Sequence, residues 1–236
     1  MGVFRFKQFS VRNDLSPLKV GTDAVVLGAS MTLRPGDRFF LDVGTGTGVI
    51  ALMAAQRLSA SDSGDFRIDA IEIDADASGE AAVNFDASPW ECFRCFNVAL
   101  ADFRPEQRYD HIFSNPPFFE NSLRNPESRE AAARHTVSLS YGDILSFSSD
   151  FLSDRGHLSL VLPAAVEPSL MRTAASFGLF PFRILRIRTT TCKPVTRLVA
   201  EFSRRKTAGL REDGLVLQDG PARTPEYTDL TRDFYL

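Results

Sequence analysis

Residues 39–58 read FFLDVGTGTGVIALMAAQRL, and this stretch decides the fold. A short apolar run enters a turn with three alternating glycines, Gly44, Gly46 and Gly48, and an alanine- and leucine-rich segment with helical character follows. Glycines allow a tight turn and let a ligand approach the backbone where a side chain would block it. A glycine turn that follows a strand and opens a helix therefore indicates a ligand site.

The rest of the chain alternates strands and helices in the same way. The predicted strands are 39–43, 68–73, 95–100, 109–115, 157–163, 182–188 and 197–204, and the predicted helices are 47–58, 74–86, 141–152 and 167–177. Strands separated by helices of about 10–15 residues are typical of βαβ units, which build a parallel sheet with helices on both faces. The sequence thus predicts an α/β fold with a mostly parallel, seven-stranded sheet.

The N-terminal residues precede the first sheet strand. FRFKQFSV (4–11) alternates phenylalanines with polar residues, which predicts a short hairpin, and the apolar stretch 22–31 predicts a helix. We expect one domain over residues 1–236, in which residues 1–35 form a small cap on a core of residues 36–236.

Composition excludes several classes of protein. With 236 residues, 44% hydrophobic and 24% charged, the chain is neither disordered nor fibrous. It contains no apolar stretch of roughly 18 residues that would cross a membrane, and the N-terminus lacks the apolar core of a secretory signal, so we expect a cytoplasmic protein. Cys92 and Cys95 form a C-x-x-C, but zinc needs two further ligands and one other cysteine exists, so we expect no metal.

The residues around the glycine turn distinguish two nucleotide cofactors. A dinucleotide site would place its last glycine at position 49, which is Val49, whereas the spacing from Asp42 resembles motif I of class I S-adenosylmethionine-dependent methyltransferases. In such a Rossmann-like site Glu72, near the end of the second strand, would accept hydrogen bonds from both ribose hydroxyls. Asp102 follows the third strand, where the adenine amino group would need an acceptor.

The fourth strand ends in Asn115-Pro116-Pro117-Phe118. This resembles the (D/N/S)-PP-(Y/F/W) motif of methyltransferases that act on an exocyclic or amide nitrogen, whose lone pair is delocalised. If the Asn115 side chain and the Pro116 carbonyl each accept an N–H, the nitrogen pyramidalises toward the methyl donor. The tandem prolines fix this geometry in advance, and Phe118 would stack on a planar base.

Resemblance to one family runs along nearly the whole chain. FKQFSVRNDLSPLKVGTDAVVLGA (6–29), LDVGTGTGVIALMAAQR (41–57), SNPPFF (114–119) and YTDLTRDFYL (227–236) resemble the bacterial tRNA1(Val) (adenine37-N6)-methyltransferase family. The resemblance implies methylation of N6 of the adenine next to the anticodon in a valine tRNA, by an enzyme that we expect to be a monomer. It also implies that Lys19, Gly21 and Thr22 close over the methionine end of the cofactor. Phe118 departs from the family, which often has tyrosine there.

Charge is distributed unevenly, and this suggests where RNA docks. Residues 183–211 contain nine basic residues and one acid, Glu201, so this segment carries about +8 against a total of −3. Arg204, Arg205 and Lys206 are the candidate contacts to phosphates of the anticodon arm. Further candidate contacts, Arg134 and His135, lie at the end of the long loop after Pro117.

Two other functions share parts of this pattern. A glutamine-N5 methyltransferase acting on a translation factor uses the same nitrogen chemistry but does not need the basic segment. A non-catalytic, cofactor-dependent RNA-binding module would not need the intact motif at 115–117. Methyl transfer to bulk tRNA, compared with transfer to a protein extract, distinguishes these alternatives.

Overall fold

The computed structural model describes residues 2–17, 19–61, 64–117 and 139–236. Its strands are β1 Val3–Arg5, β2 Ser10–Arg12, β3 Phe39–Val43, β4 Arg67–Glu72, β5 Phe93–Asn97, β6 Tyr109–Ser114, β7 Leu152–Pro163, β8 Phe180–Arg188, β9 Arg197–Ser203, β10 Arg211–Val216, β11 Gln218–Asp219 and β12 Ala222–Arg223. Its α-helices are α1 Thr22–Ser30, α2 Val49–Ala60, α3 Ala75–Asp86, α4 Tyr141–Phe151, α5 Glu167–Ser176 and α6 Pro225–Thr231.

The central sheet has the strand order β10-β8-β9-β7-β6-β3-β4-β5. Seven of its strands run in one direction, and β9 is antiparallel to both of its neighbours. The carboxyl ends of the seven strands therefore lie at one edge, which we call the carboxyl edge, and the opposite edge is the amino edge. In sheets of this kind ligands bind at the carboxyl edge.

The predicted α/β fold is confirmed, but the sheet has eight strands instead of seven. The additional strand, β10, pairs with β8 at the end of the sheet. Its sequence REDGLV is mostly polar and exposed, so it lacks the apolar run by which the buried strands were recognised. The predicted hairpin is present as the antiparallel pair β1–β2, and the predicted N-terminal helix is α1.

Two apolar clusters cover the two faces of the sheet. One contains side chains of α1 and α2, and the other contains side chains of α4 and α5. Phe6, Phe9 and Val11 of the N-terminal hairpin segment lie in the first cluster, so the cap packs on the same core. The division into residues 1–35 and 36–236 remains a prediction. Among the described residues, no helix has the length and apolar character that crossing a membrane requires.

Candidate active site

The predicted cofactor and substrate residues meet at the carboxyl edge. The glycine turn follows β3, Glu72 ends β4 and Asn115 follows β6, and both β4 and β6 pair with β3. Asp102 lies beyond β5 in a turn that is closed by its own N–H bonding to the carbonyl of Ala99 at 3.0 Å. Parallel strands thus bring together residues that are separated by up to 73 positions in the sequence.

The glycines of the turn share a left-handed backbone, but Gly46 and Gly48 face different neighbours. All three have left-handed φ values, +68° at Gly44, +55° at Gly46 and +81° at Gly48, which side chains rarely adopt. A Cβ on Gly48 would lie 2.6 Å from the ring of Phe85, so this glycine lets α2 begin against α3. A Cβ on Gly46 would instead lie 3.7 Å from Ser16 Oγ, so Gly46 faces the N-terminal segment.

Asp42 supplies a buried carboxylate beneath the turn. Its side chain is fully buried, and its Oδ2 accepts a hydrogen bond from Thr45 Oγ1 at 2.7 Å. Its Oδ1 has no hydrogen-bond partner among the described residues. Burial raises the pKa of Asp42 to about 7. A buried acceptor without a donor at this position can take a hydrogen bond from a ligand.

Glu72 connects the glycine turn to the start of α3. Its two carboxylate oxygens accept from the backbone N–H groups of Gly46 and Asp74, each at 3.0 Å. Asp74 is the N-cap of α3, and its side chain accepts from the N–H of Ala77. A carboxylate offers about four acceptor sites, so Glu72 retains capacity for two hydroxyl donors.

The end of β6 presents the proposed methyl-acceptor site. The Asn115 Oδ1 atom is buried and has no hydrogen-bond partner among the described residues. The preceding Ser114 Oγ donates to the carbonyl of Val43 at 2.6 Å, which fixes this end of β6 to β3 beside the glycine turn. Pro116 is buried and Pro117 is half-buried. Phe118, Arg134 and His135 lie outside the described residues.

The N-terminal segment was predicted to close over the cofactor through Lys19, Gly21 and Thr22. Lys19 Nζ instead donates to the carbonyl of Asn13 at 2.6 Å, so the ammonium group braces its own segment. Gly21 is the N-cap of α1, Thr22 is its first residue, and both are exposed. Direct contact of these three residues with a cofactor remains a prediction.

Sequence reasoning missed Glu80 and Ser16. Glu80 of α3 is buried and accepts hydrogen bonds from three consecutive backbone N–H groups, 14 to 16, in the N-terminal segment. Ser16 is 2% exposed, and its Oγ has no partner among the described residues. No local signal in the sequence marks either residue, because the contact joins positions more than 60 residues apart.

Ion pairs occupy much of the charge of the basic segment 183–211. Arg183 pairs with Glu201 inside the segment and with Asp213, Arg186 with Glu167 and Glu212, Arg197 with Asp23, and Arg211 with Asp213, and all of these acids except Glu201 come from other parts of the chain. The net charge of +8 therefore overstates the field at this surface.

The predicted RNA contacts at 204–206 lie at the amino edge, away from Asn115. Arg204 donates to the carbonyls of Ser149 and Leu152, and Lys206 lies over the ring of Phe180. Leu152 pairs with the first residue of β6, so the separation from Asn115 along the strand is about 20 Å. Contact of these three residues with RNA remains a prediction, and it would take place at the amino edge.

Exposed basic residues do occur at the carboxyl edge. Arg188 ends β8 and Lys193 lies in the turn between β8 and β9, and both are exposed. Arg197, at the other end of this turn, pairs with Pro163 at the end of β7. The turn 189–196 therefore places an exposed lysine at the same edge of the sheet as the end of β7.

A buried group outside this site contains His111, His157 and Glu201, whose ligand atoms lie within 4.8 Å of one another. Both oxygens of Glu201 already accept hydrogen bonds from protein donors. We assign no metal to this group, because its carboxylate is committed to those donors. Cys92, Cys95 and Cys192 are free thiols.

Solved structures share the fold. A predicted O-methyltransferase from Agrobacterium tumefaciens has a TM-score of 0.67 at 16% identity, covering 90% of this chain and 96% of its own. A TehB-like SAM-dependent methyltransferase from Corynebacterium glutamicum has a TM-score of 0.51 at 16% identity, covering 79% and 90%. These similarities establish the fold of class I methyltransferases.

Sequence relatives establish the family. The family model described as "Methyltransferase small domain" matches residues 21–167. The tRNA1(Val) (adenine(37)-N6)-methyltransferase of Flavobacterium johnsoniae is 39% identical over 238 residues, 99% of each chain. That of Bacteroides fragilis is 40% identical over 240 residues, 99% of this chain and 97% of its own. The chain belongs to the tRNA1(Val) (adenine(37)-N6)-methyltransferase family, and it is an S-adenosylmethionine-dependent methyltransferase.

Proposed function

We propose that this protein transfers a methyl group from S-adenosylmethionine to N6 of adenine 37 in a valine tRNA. The observation that carries the proposal is the buried Oδ1 of Asn115 beside the glycine turn, which has no hydrogen-bond partner among the described residues. An acceptor in this position fits an N–H of an exocyclic amine. The names of the relatives support adenine 37 of tRNA as the target.

The residues of the carboxyl edge fit the cofactor. Glu72, at the end of β4, would hold the ribose hydroxyls, and Asp102, beyond β5, would accept from the adenine amino group. The glycine turn, above the free oxygen of Asp42, would accommodate the methionine part. When bound, S-adenosylmethionine supplies an electrophilic methyl group on a sulfonium. These residues would hold the cofactor between β5 and β3, beside Asn115 at the end of β6.

Asn115 and Pro116 act on the target nitrogen. The Asn115 Oδ1 atom and the Pro116 carbonyl each accept one N–H of the adenine amino group, which turns the nitrogen lone pair out of the ring plane. Pro116 and Pro117 restrict the backbone, so the two acceptors are positioned before the base arrives. The nitrogen would take the methyl group as the methyl–sulfur bond breaks, which leaves S-adenosylhomocysteine, and it would then release one proton to water. Phe118 stacks on the adenine ring.

The RNA would approach over the carboxyl edge. The target adenine belongs to a loop, so turning it out of its stack costs only a few kcal/mol. We assign phosphate contacts to Arg188 and Lys193, because they are exposed basic residues at this edge. Arg134 and His135 remain proposed contacts, since they follow the 115–118 motif in the chain.

The test is methyl transfer from labelled S-adenosylmethionine to bulk tRNA and, in parallel, to a protein extract. We expect label in tRNA, N6-methyladenosine in its digested nucleosides, and no label with an Asn115→Ala variant. An Arg205→Ala variant, changed at the amino edge, should methylate normally. Label in protein alone would favour the glutamine methyltransferase, and tRNA binding without transfer would favour a non-catalytic module.

A further inference from the structure

The segment from Asn13 to Ser16 lies over the glycine turn and is held by one buried carboxylate. Glu80 Oε1 accepts from the N–H groups of Asp14, at 2.6 Å, and Leu15, at 3.0 Å. Glu80 Oε2 accepts from the N–H of Ser16 at 2.9 Å. Three backbone donors of one short segment thus converge on a side chain of α3.

The carbonyl groups of the same segment are held from another side. Lys19 Nζ donates to the carbonyl of Asn13 at 2.6 Å and lies 3.3 and 3.4 Å from those of Asp14 and Ser16. Asn84, one turn beyond Glu80 in α3, bonds to both backbone groups of Arg12 and to the carbonyl of Thr47 in the glycine turn. Glu80 and Asn84, both on α3, thus fix this part of the chain relative to the glycine turn.

This bracing leaves one hydroxyl without a partner. Ser16 is 2% exposed, yet its Oγ has no hydrogen-bond partner among the described residues. Buried hydroxyls in folded proteins nearly always have one. The atom faces the glycine turn, since a Cβ on Gly46 would lie 3.7 Å away from it. The Asn13 Oδ1 atom at the other end of the segment is also buried and unpartnered.

We propose that Glu80 is a positioning residue for the cofactor: by holding residues 14–16 it directs the Ser16 hydroxyl at the amino-acid end of S-adenosylmethionine. The inference rests on the proposed function, which places the adenosine at β4 and β5 and the methyl group near Asn115 on β6. The remaining part of the cofactor, its ammonium and carboxylate, then lies over the β3 turn beside Gly46. A hydroxyl both donates and accepts, so Ser16 suits either group.

Two ligands separate this role from a general effect on the fold. S-adenosylhomocysteine carries the amino-acid end, whereas 5′-methylthioadenosine has the adenosine and the sulfur but lacks that end. Ser16→Ala should lower the affinity for S-adenosylhomocysteine about tenfold or more, as expected for a lost hydrogen bond to a charged group. The affinity for 5′-methylthioadenosine should stay unchanged. Glu80→Gln should show the same selectivity, because an amide cannot accept from all three N–H groups.

The controls use the same helix and the same two ligands, measured by calorimetry on the full chain. Asp86→Asn removes an exposed carboxylate from α3 and should bind both ligands like the unchanged protein. If Glu80 acts through Ser16, the double variant Ser16→Ala with Glu80→Gln should bind S-adenosylhomocysteine only slightly more weakly than either single variant.

The inference would be overturned if the variants lost affinity for both ligands equally, or if Ser16→Ala lost no affinity for S-adenosylhomocysteine. Ser16→Ala removes one oxygen atom, so it keeps the test valid even if Glu80→Gln unfolds. Failure of the proposed function is a separate result: the unchanged protein would then bind neither ligand or leave tRNA unmethylated.

Discussion

Two regions of the sheet hold buried polar groups, and they differ in how those groups are partnered. At the carboxyl edge, Asp42 Oδ1 and Asn115 Oδ1 lack partners among the described residues. Beneath the C-terminal end of α1, Glu201 accepts from the N–H and Oγ1 of Thr32, from Ser159 and from Arg183, at 2.8–2.9 Å. The carboxyl edge thus has acceptor atoms available to a ligand, whereas the carboxylate of Glu201 already accepts from protein donors.

The second region, which we call the His–Glu cluster, consists of His111, His157 and Glu201. His111 Nε2 bonds to Ser159 Oγ at 2.8 Å, and His157 Nε2 bonds to the carbonyl of Thr32 at 2.8 Å. The two histidine rings stack with centroids 3.8 Å apart. The cluster thereby fixes Thr32, two residues beyond the end of α1, to strands β7 and β9.

Burial and a shifted pKa do not distinguish the two regions. Burial raises the pKa of Asp42 to about 7 and lowers the pKa of His157 to about 4. A search for perturbed ionisable groups alone would select both. The acceptor oxygens separate them: both oxygens of Glu201 accept from protein donors, whereas Asp42 Oδ1 and Asn115 Oδ1 have no hydrogen-bond partner among the described residues. The Nδ1 atoms of His111 and His157 also lack a hydrogen-bond partner there, so the contrast holds for the oxygen acceptors.

The largest expected effect tests the structural assignment of the His–Glu cluster. Glu201→Ala leaves Arg183 and Ser159 without their shared acceptor, and breaking a buried ion pair lowers the free energy of unfolding by about 3–5 kcal/mol. Urea denaturation measures this change. The affinity of the remaining folded protein for S-adenosylhomocysteine should be unchanged. Glu201→Gln keeps the shape of the side chain and should destabilise the protein less. If Glu201→Gln weakened cofactor binding, the assignment of a purely structural role to the His–Glu cluster would be contradicted.

The next effect tests the carboxyl edge. Asn115→Ala should slow methyl transfer to tRNA by about 10²–10³-fold, the loss typical of one positioned group that acts in the transition state. Single-turnover kinetics measures this rate. Stability and S-adenosylhomocysteine affinity should change little, since Asn115 Oδ1 makes no hydrogen bond to the described residues. Asn115→Asp retains an acceptor and should recover part of the rate; a near-normal rate in Asn115→Ala would refute its role.

The parts of this site that could be read from the sequence are those in which neighbouring residues carry the signal. The glycine turn and the 115–117 motif each lie within a few residues, directly after apolar strands. Asp42 and Glu72 follow from them, because parallel strands bring their carboxyl ends together.

The features of the fold and site that the sequence did not predict depend on contacts between distant positions. Glu80 lies in an alanine-rich helix, and only the folded chain shows that residues 14–16 donate to it. The ion pairs of the basic segment could not be predicted, because several of the acids that pair with it, Asp23 and Glu167 among them, lie elsewhere in the chain. Strand β10 was missed since an edge strand needs only one partner and little burial.

Acid should weaken the His–Glu cluster. The pKa of His157 falls from 6.5 to about 4 on folding, so the unfolded chain binds more protons between those values. Its contribution to stability is therefore present above pH 6.5 and is lost as the pH falls toward 4, by roughly 3 kcal/mol. Asp37 and Asp42 have raised pKa values and act in the opposite direction.

Comparison with His157→Gln isolates this contribution, because glutamine keeps a donor for the Thr32 carbonyl but does not titrate. Chemical denaturation at several pH values should show the difference in unfolding free energy between the two proteins shrinking as the pH falls from 7 to 4. A constant difference would mean that His157 is not held neutral by burial.

The smallest effect extends the comparison to surface charge at the two edges of the sheet. Arg188→Ala with Lys193→Ala should weaken tRNA binding and flatten the plot of log affinity against log salt by up to about 1.4–1.8, since each lost phosphate contact contributes about 0.7–0.9. The matched control, Arg205→Ala with Lys206→Ala, removes the same charge at the amino edge and should keep the slope. Filter binding across a salt series measures both variants. Because the two pairs carry equal charge, a general attraction between protein and RNA would lower both slopes alike. A loss confined to the control pair would place the RNA at the amino edge, about 20 Å along β6 from Asn115, and the target base could then not reach the proposed site from that surface.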